Sequence, residues 1–222
     1  MRKLPILFNT EMVRAILDGR KTQTRRVIKP QPTNPRWNNV GWLGWDDGHG
    51  YRMKAPCAVG DVLWVRETWC KGRVEYGEEP DGRSVPYIEQ CTGDDRIIHK
   101  EWAVRHDVGI DDVVWKPSIH MPRTAARIFL RVKDVRVERL QDCGNGWCID
   151  IEREGIKAPQ DPILYVNDDK YHNALTAEME KVWDETINPI EIERYGWGAN
   201  PWVWVIEFNI EHIEGRKWVE AP

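Results

Sequence analysis

The sequence predicts a mixed α+β chain, in which a mixed sheet or small barrel carries peripheral helices. Three observations predict it. Strand-like segments are separated by short helical ones without a regular β-α-β alternation. The segment from Asn200 to Ile210 is apolar on both faces at its centre and reads as a buried strand. Long stretches rich in turn formers, about 30–59 and 71–117, interrupt the pattern as insertions. A chain of 222 residues fits one domain, 1–222, with large loops, two small domains being the alternative.

The elements follow in order. Thr10 can cap a first helix whose Met12, Val13, Ile16 and Leu17 share a face, and Gly19 supplies the left-handed residue that ends it. From Lys29 to Gly60 the chain is rich in Pro, Gly, Asn and Trp (Pro30, Pro32, Pro35, Trp37, Trp42, Trp45) and reads as a long ordered loop. Gly60 opens a strand over Asp61 to Arg66, and a second strand spans Ala126 to Val137. Residues 71–117 are acidic and weakly periodic, with a hairpin from Ile97 to Val104 as their one ordered feature. A short helix over 147–154 ends at Gly155. A longer one over 172–187 carries Leu175, Met179, Val182, Trp183, Thr186 and Ile187 on one stripe and stops at Pro189.

Composition bounds the function. An apolar fraction of 41% with 31% charged residues supports a packed core and excludes wholesale disorder. Thirteen Trp against three Phe place indole N–H groups in the large aromatic slots, which suits core filling and half-buried stacking surfaces. No apolar run reaches the roughly 18 residues of a membrane span, and the N-terminus lacks the apolar stretch of a signal peptide, so a cytoplasmic protein is expected. Five cysteines (Cys57, Cys70, Cys91, Cys143, Cys148) without a C-x-x-C pair indicate reduced thiols. Cys143, Cys148, His99, His106 and His120 lack zinc spacing, so neither a metal nor a cofactor is expected.

A net charge of −4 argues against a protein that coats nucleic acid indiscriminately. The charge is uneven, however. Residues 14–36 hold seven basic side chains against Asp18, and residues 116–139 hold seven against Asp134 and Glu138. Two basic segments in an acidic chain point to a confined anionic ligand or to solvated strand faces.

The first helix followed by Gly19-Arg20-Lys21-Thr22-Gln23-Thr24-Arg25-Arg26, then Gly60-Asp61-Val62-Leu63, then Trp204-Val205-Ile206-Glu207-Phe208, resembles in content and order the ASCH domain of the PUA-like superfamily. Val65-Arg66-Glu67-Thr68-Trp69 and Pro117-Ser118-Ile119-His120-Met121-Pro122-Arg123 resemble its phage- and prophage-encoded members, for which the location would be a host cytoplasm. The resemblance implies a small mixed β-barrel with a positively charged cleft for RNA or nucleotides. In one branch of that family the N4-acetylcytidine amide is hydrolysed by a Lys, a Thr and a Glu. Lys21 and Thr24 match that set directly, and Glu154, before Gly155 and after the Val132 to Leu140 strand, matches by order.

Amide hydrolysis needs a nucleophile, a base, an oxyanion donor and an acid for the leaving amine. With its pKa lowered by burial and by Arg25 and Arg26, Lys21 can activate Thr24 while Glu154 protonates the leaving group. In the rival scheme Glu154 activates water while Lys21 and Thr24 hold the carbonyl oxygen. Residues 21 and 24 of a regular strand face opposite ways, so their cooperation requires a bend. Glu67 can accept from an exocyclic amine or pair with a basic strand. Trp64 and Trp69 can stack on a base or pack in the core, and His120 and Arg123 can meet a phosphate or cap a turn. Asn200 can present its amide beside the last strand, or simply turn the chain. The expected ligand is a modified pyrimidine nucleoside or single-stranded RNA, acted on by a hydrolase or held by a non-catalytic module. A nuclease would need an acidic metal cluster, and none is evident.

Overall fold

The computed structural model describes residues 1–32, 54–78, 81–90, 96–144, 149–158 and 168–214. The loop tryptophans Trp37, Trp42 and Trp45, together with Pro35, Arg36, Cys91 and Cys148, lie outside the described residues. In chain order the elements are β1 (Lys3–Leu7), α1 (Thr10–Leu17), β2 (Gln23–Val27), β3 (Val62–Arg66), β4 (Trp69–Glu78), β5 (Ser84–Glu89), β6 (Arg96–His99), α2 (Lys100–Arg105), β7 (Ile128–Arg139), α3 (Ile149–Arg153), α4 (Asp168–Thr186), α5 (Ile192–Tyr195) and β8 (Trp202–Ile213). The fold is mixed α+β. Its strands make a five-stranded sheet in the order β1-β3-β7-β8-β2 and a three-stranded sheet in the order β5-β4-β6, with no closed barrel among the described residues.

The chain divides into two compact units, each assembled from separate stretches. The first comprises Met1–Asp18, Val62–Arg131 and Ile210–Pro222. Here β1 runs parallel to β3, with Leu4 opposite Leu63, and β3 runs antiparallel to the start of β7, with Leu63 opposite Leu130. Helix α1 buries Val13, Ala15 and Ile16. Its cap is Asn9, one residue before the expected Thr10: the Asn9 side chain accepts from the Met12 N–H at 2.8 Å.

Residues 71–117 are more ordered than their weak periodicity suggests. They supply most of β4 together with β5, β6 and α2, and the expected hairpin from Ile97 to Val104 is instead β6 running into α2. The outer strands carry charge on their exposed positions, where Arg73 pairs with Glu75 and Glu89, so the apolar alternation that marks a half-buried strand is diluted. Their buried side is conventional: Cys70, Ile88, Ile98, Ala103 and Val108 form one cluster. Gly72 lets β5 approach, since a Cβ there would lie 2.6 Å from the Glu89 carbonyl oxygen.

The second unit comprises Gly19–Asp61 and Val132–Asn209. Strand β2 runs antiparallel to β8, with Thr24 opposite Ile206, and Ile28, Val137 and Trp204 pack together. Helix α4 buries Leu175, Met179 and Trp183 four residues apart, as its stripe predicts, whereas Thr186 is exposed and turns its hydroxyl back to the Trp183 carbonyl. Asn200 acts as the turn residue: it adopts φ +44° and its side chain accepts from the Gln141 N–H. No described helix is long and apolar enough to cross a membrane.

Candidate functional site

Gly19, at φ +74°, ends α1 as expected. The chain then enters β2 with three side chains, two residues apart, that all reach α3 and the residue after it. Lys21 Nζ donates to the Glu154 carboxylate at 3.0 Å and to the Glu154 backbone oxygen at 2.7 Å. Gln23 Nε2 donates to the Asp150 carbonyl at 2.8 Å. Arg25 Nη1 donates to the other Glu154 carboxylate oxygen at 2.8 Å, and its Nη2 meets Glu138 of β7 at 3.2 Å. Gly155, at φ +85°, closes the α3 turn and lets Glu154 face β2.

The site is nearly dry. Lys21 and Glu154 are 4% and 5% exposed, so their charges interact with little screening. Burial drives the Lys21 pKa below its ordinary 10.5; Glu154 pulls it back up, while Arg26 and Arg25 push it further down, and the net direction is down. Burial opposes the Arg25 charge most strongly, but Glu154 together with Cys143, Glu138 and Asp150 outweighs it and holds that guanidinium above its usual pKa. Arg26 is lowered by burial, against Glu154. Cys143 is pushed up to about 11 by burial and is therefore a thiol at neutral pH. A neutral amine at Lys21 can make both observed bonds with its two N–H groups and keep a lone pair, so the arrangement can hold and move a proton.

Lys21 and Glu154 thus meet across 133 residues of chain, and Arg25 joins them. Thr24 does not follow. It is buried, but it alternates along β2 with Gln23 and Arg25, whose side chains reach Asp150 and Glu154, so strand geometry turns its hydroxyl to the opposite face. The bend that would unite residues 21 and 24 is absent, because β2 pairs regularly with β8 from Gln23 to Val27. Arg26 is half-buried on that same face.

The remaining predicted residues belong to the first unit. Glu67 is 1% exposed and held by both arms of Arg127, at 2.9 and 2.8 Å, so it is an ion-pair partner of a basic strand. Arg127 also reaches the buried Glu101 at 3.1 Å, and His99, lowered from 6.5 chiefly by burial, lies 3.9 Å from Glu67. Trp69 and Trp64 pack in the cluster of Val62, Met121, Ala125, Ala126 and Phe129, with Lys116 over the Trp69 ring. His120 and Arg123 are exposed on short 3-10 turns after Pro117 and Pro122. Among the described residues no three His, Cys, Asp or Glu side chains gather as metal ligands would.

Much of the uneven charge is consumed internally. Arg127, Arg131 and Arg136 pair with Glu67 and Glu101, with Glu211, and with Asp134, Glu138 and Glu207. Arg139 lies over the Trp202 ring and donates to the Asn200 carbonyl. In the first basic segment Arg25 meets Glu138 and Glu154, and Lys29 meets Glu191. Sequence reasoning missed Gln23, Glu138 and Asp150; the signal available was the two-residue step from Lys21 through Gln23 to Arg25, which places all three on one face. Comparison of the chain with known protein families, with curated proteins and with solved structures finds no match.

Proposed function

We propose that the chain is a cytoplasmic ASCH-type protein of the PUA-like superfamily that hydrolyses the amide of an N4-acylated cytidine, with Lys21 as the base and Glu154 as its partner. The observation that carries this reading is the desolvated Lys21 amine at 3.0 Å from the Glu154 carboxylate, its pKa driven down by burial. The ordered resemblance of the Gly19 to Arg26 segment to the ASCH motif supports the substrate class.

In the reaction Lys21 accepts a proton from a water as that water attacks the acyl carbon. The tetrahedral intermediate then collapses, the C–N bond breaks, and the proton passes from Lys21 to the departing N4 amine. One water is consumed and the products are cytidine and a carboxylic acid, which releases its proton to solvent at neutral pH to become the carboxylate. Glu154 orients the amine and stabilises the ammonium that forms transiently. Water is the nucleophile in this scheme because Thr24 lies on the other face of β2.

A non-catalytic nucleic-acid module is the second reading. It draws on the two basic segments, and the internal pairing of Arg25, Arg127, Arg131 and Arg136 weakens it, because paired arginines leave less positive field for a polyanion. Incubation with N4-acetylcytidine and longer N4-acyl homologues separates the two. The hydrolase reading predicts cytidine release that Lys21→Met abolishes; tight, strongly salt-dependent RNA binding without turnover of any acylated nucleoside would select the module.

A further inference from the structure

We propose that Gln23 and Arg25 read the base, selecting a ring edge with an N–H next to a ring acceptor, as in cytosine, over the reverse pattern, as in uracil. The inference rests on the nucleoside-directed reading above and names the part of the site that would discriminate its substrate.

Two buried atoms of opposite character carry it. Gln23 is wholly buried, and its orientation is set because Nε2 donates to the Asp150 carbonyl at 2.8 Å. That leaves Oε1 as an acceptor, and it has no hydrogen-bond partner. Arg25 is 3% exposed and spends Nη1 on Glu154 and Nη2 on Glu138. Its Nε–H remains as a donor and also has no partner. Buried polar atoms are paired in the great majority of cases, so an orphaned acceptor and an orphaned donor on one strand face call for a ligand or for ordered water.

The two residues stand two apart on β2, and Lys21 is two further back on the same face. Cytosine offers its N4–H to an acceptor and N3 to a donor; uracil offers O4 and N3–H, which would meet Gln23 Oε1 and Arg25 Nε with acceptor on acceptor and donor on donor. An acyl group on N4 leaves one N4–H, so the pattern survives in the acylated substrate. Reading N4–H at Gln23 holds the neighbouring acyl carbon on the Lys21–Glu154 side of β2. A site built to pair with particular polar atoms rejects a ligand that leaves its own groups unpaired, which makes this a device of selectivity as well as affinity.

Calorimetric titration of the intact protein with cytidine and with uridine tests the proposal without requiring turnover. The wild type is expected to bind cytidine at least ~10-fold more tightly than uridine, and Gln23→Leu to lose that preference. Gln23→Met, closer in length, is the second variant if the leucine does not fold, folding being checked by circular dichroism. Equal binding of the two nucleosides by the wild type, or an undiminished preference in a folded Gln23 variant, would show that the orphaned atoms hold water only and would overturn the proposal. A protein that discriminates the bases yet releases no acetate from N4-acetylcytidine would overturn the hydrolase and leave the base reader standing. Turnover together with unaltered discrimination in the Gln23 variants, or failure to bind either nucleoside, would overturn the base reader and leave the hydrolase to stand or fall on acetate release.

Discussion

Lys21 Nζ lies 3.0 Å from one oxygen of Glu154 while Arg25 Nη1 lies 2.8 Å from the other, so one buried carboxylate bridges two basic side chains. The asymmetry has an energetic consequence. Removing Glu154 takes from Lys21 its carboxylate and leaves Arg25 with Glu138 alone, whereas removing Lys21 leaves Glu154 still paired with Arg25. Glu154→Ala is therefore expected to destabilise the protein by about 3–5 kcal/mol, and Lys21→Met, which keeps the apolar stem, by clearly less. Urea denaturation of the two variants ranks them, and a reversed order would contradict the arrangement.

The lowered Lys21 pKa makes stability depend on pH with a defined sign. Between the folded-state value and 10.5 the unfolded chain carries the Lys21 proton and the folded chain does not. Stability attributable to this group accordingly rises with pH across that window and is flat above it. The difference in unfolding free energy between wild type and Lys21→Met, followed from pH 7 upward, should grow in favour of the wild type. A difference that shrinks would mean the lysine pKa is raised instead.

Arg127 joins Glu67 and Glu101, each 1% exposed. Arg127→Met would leave Glu67 without its guanidinium and Glu101 with Arg105 as its near partner, a loss of about 3–5 kcal/mol. Arg131→Met, at the exposed pair with Glu211, should change the denaturation midpoint far less. Comparable shifts for the two would contradict the burial of the Glu67 cluster.

Gly72 is required by the close approach of β5. Gly72→Ala would set a methyl against the Glu89 carbonyl, forcing β4 and β5 apart at a cost of about 1–3 kcal/mol. Faster amide hydrogen exchange in Ser84–Glu89, read by mass spectrometry, is the expected sign; unchanged exchange there would mean the strands absorb the methyl.

What the sequence revealed follows from where side chains advertise their environment. Helix α1, strand β3 and the Leu175–Met179–Trp183 stripe announce themselves because apolar spacing matches the period of the element. Strand β2 does not, since Gln23 and Arg25 are buried polar residues whose partners Asp150, Glu154 and Glu138 lie more than a hundred positions away. β4 and β5 are obscured for the opposite reason: charge on their exposed positions dilutes the alternation. At the site, Lys21 and Glu154 came from the order of a motif and not from spacing, and period-two geometry alone foretold that Thr24 would turn away from residue 21 in a regular strand. The basic segments read as a surface for anions because composition counts charges without showing which of them are already paired.

The pH dependence of acetate release from N4-acetylcytidine, measured side by side for wild type and folded Lys21→Met, decides whether Lys21 is the base. Release is expected to rise with pH to a plateau reached below 10.5, the ordinary lysine value, and to vanish in the variant. Absence of release by the wild type, or release by Lys21→Met at the wild-type rate, would contradict it.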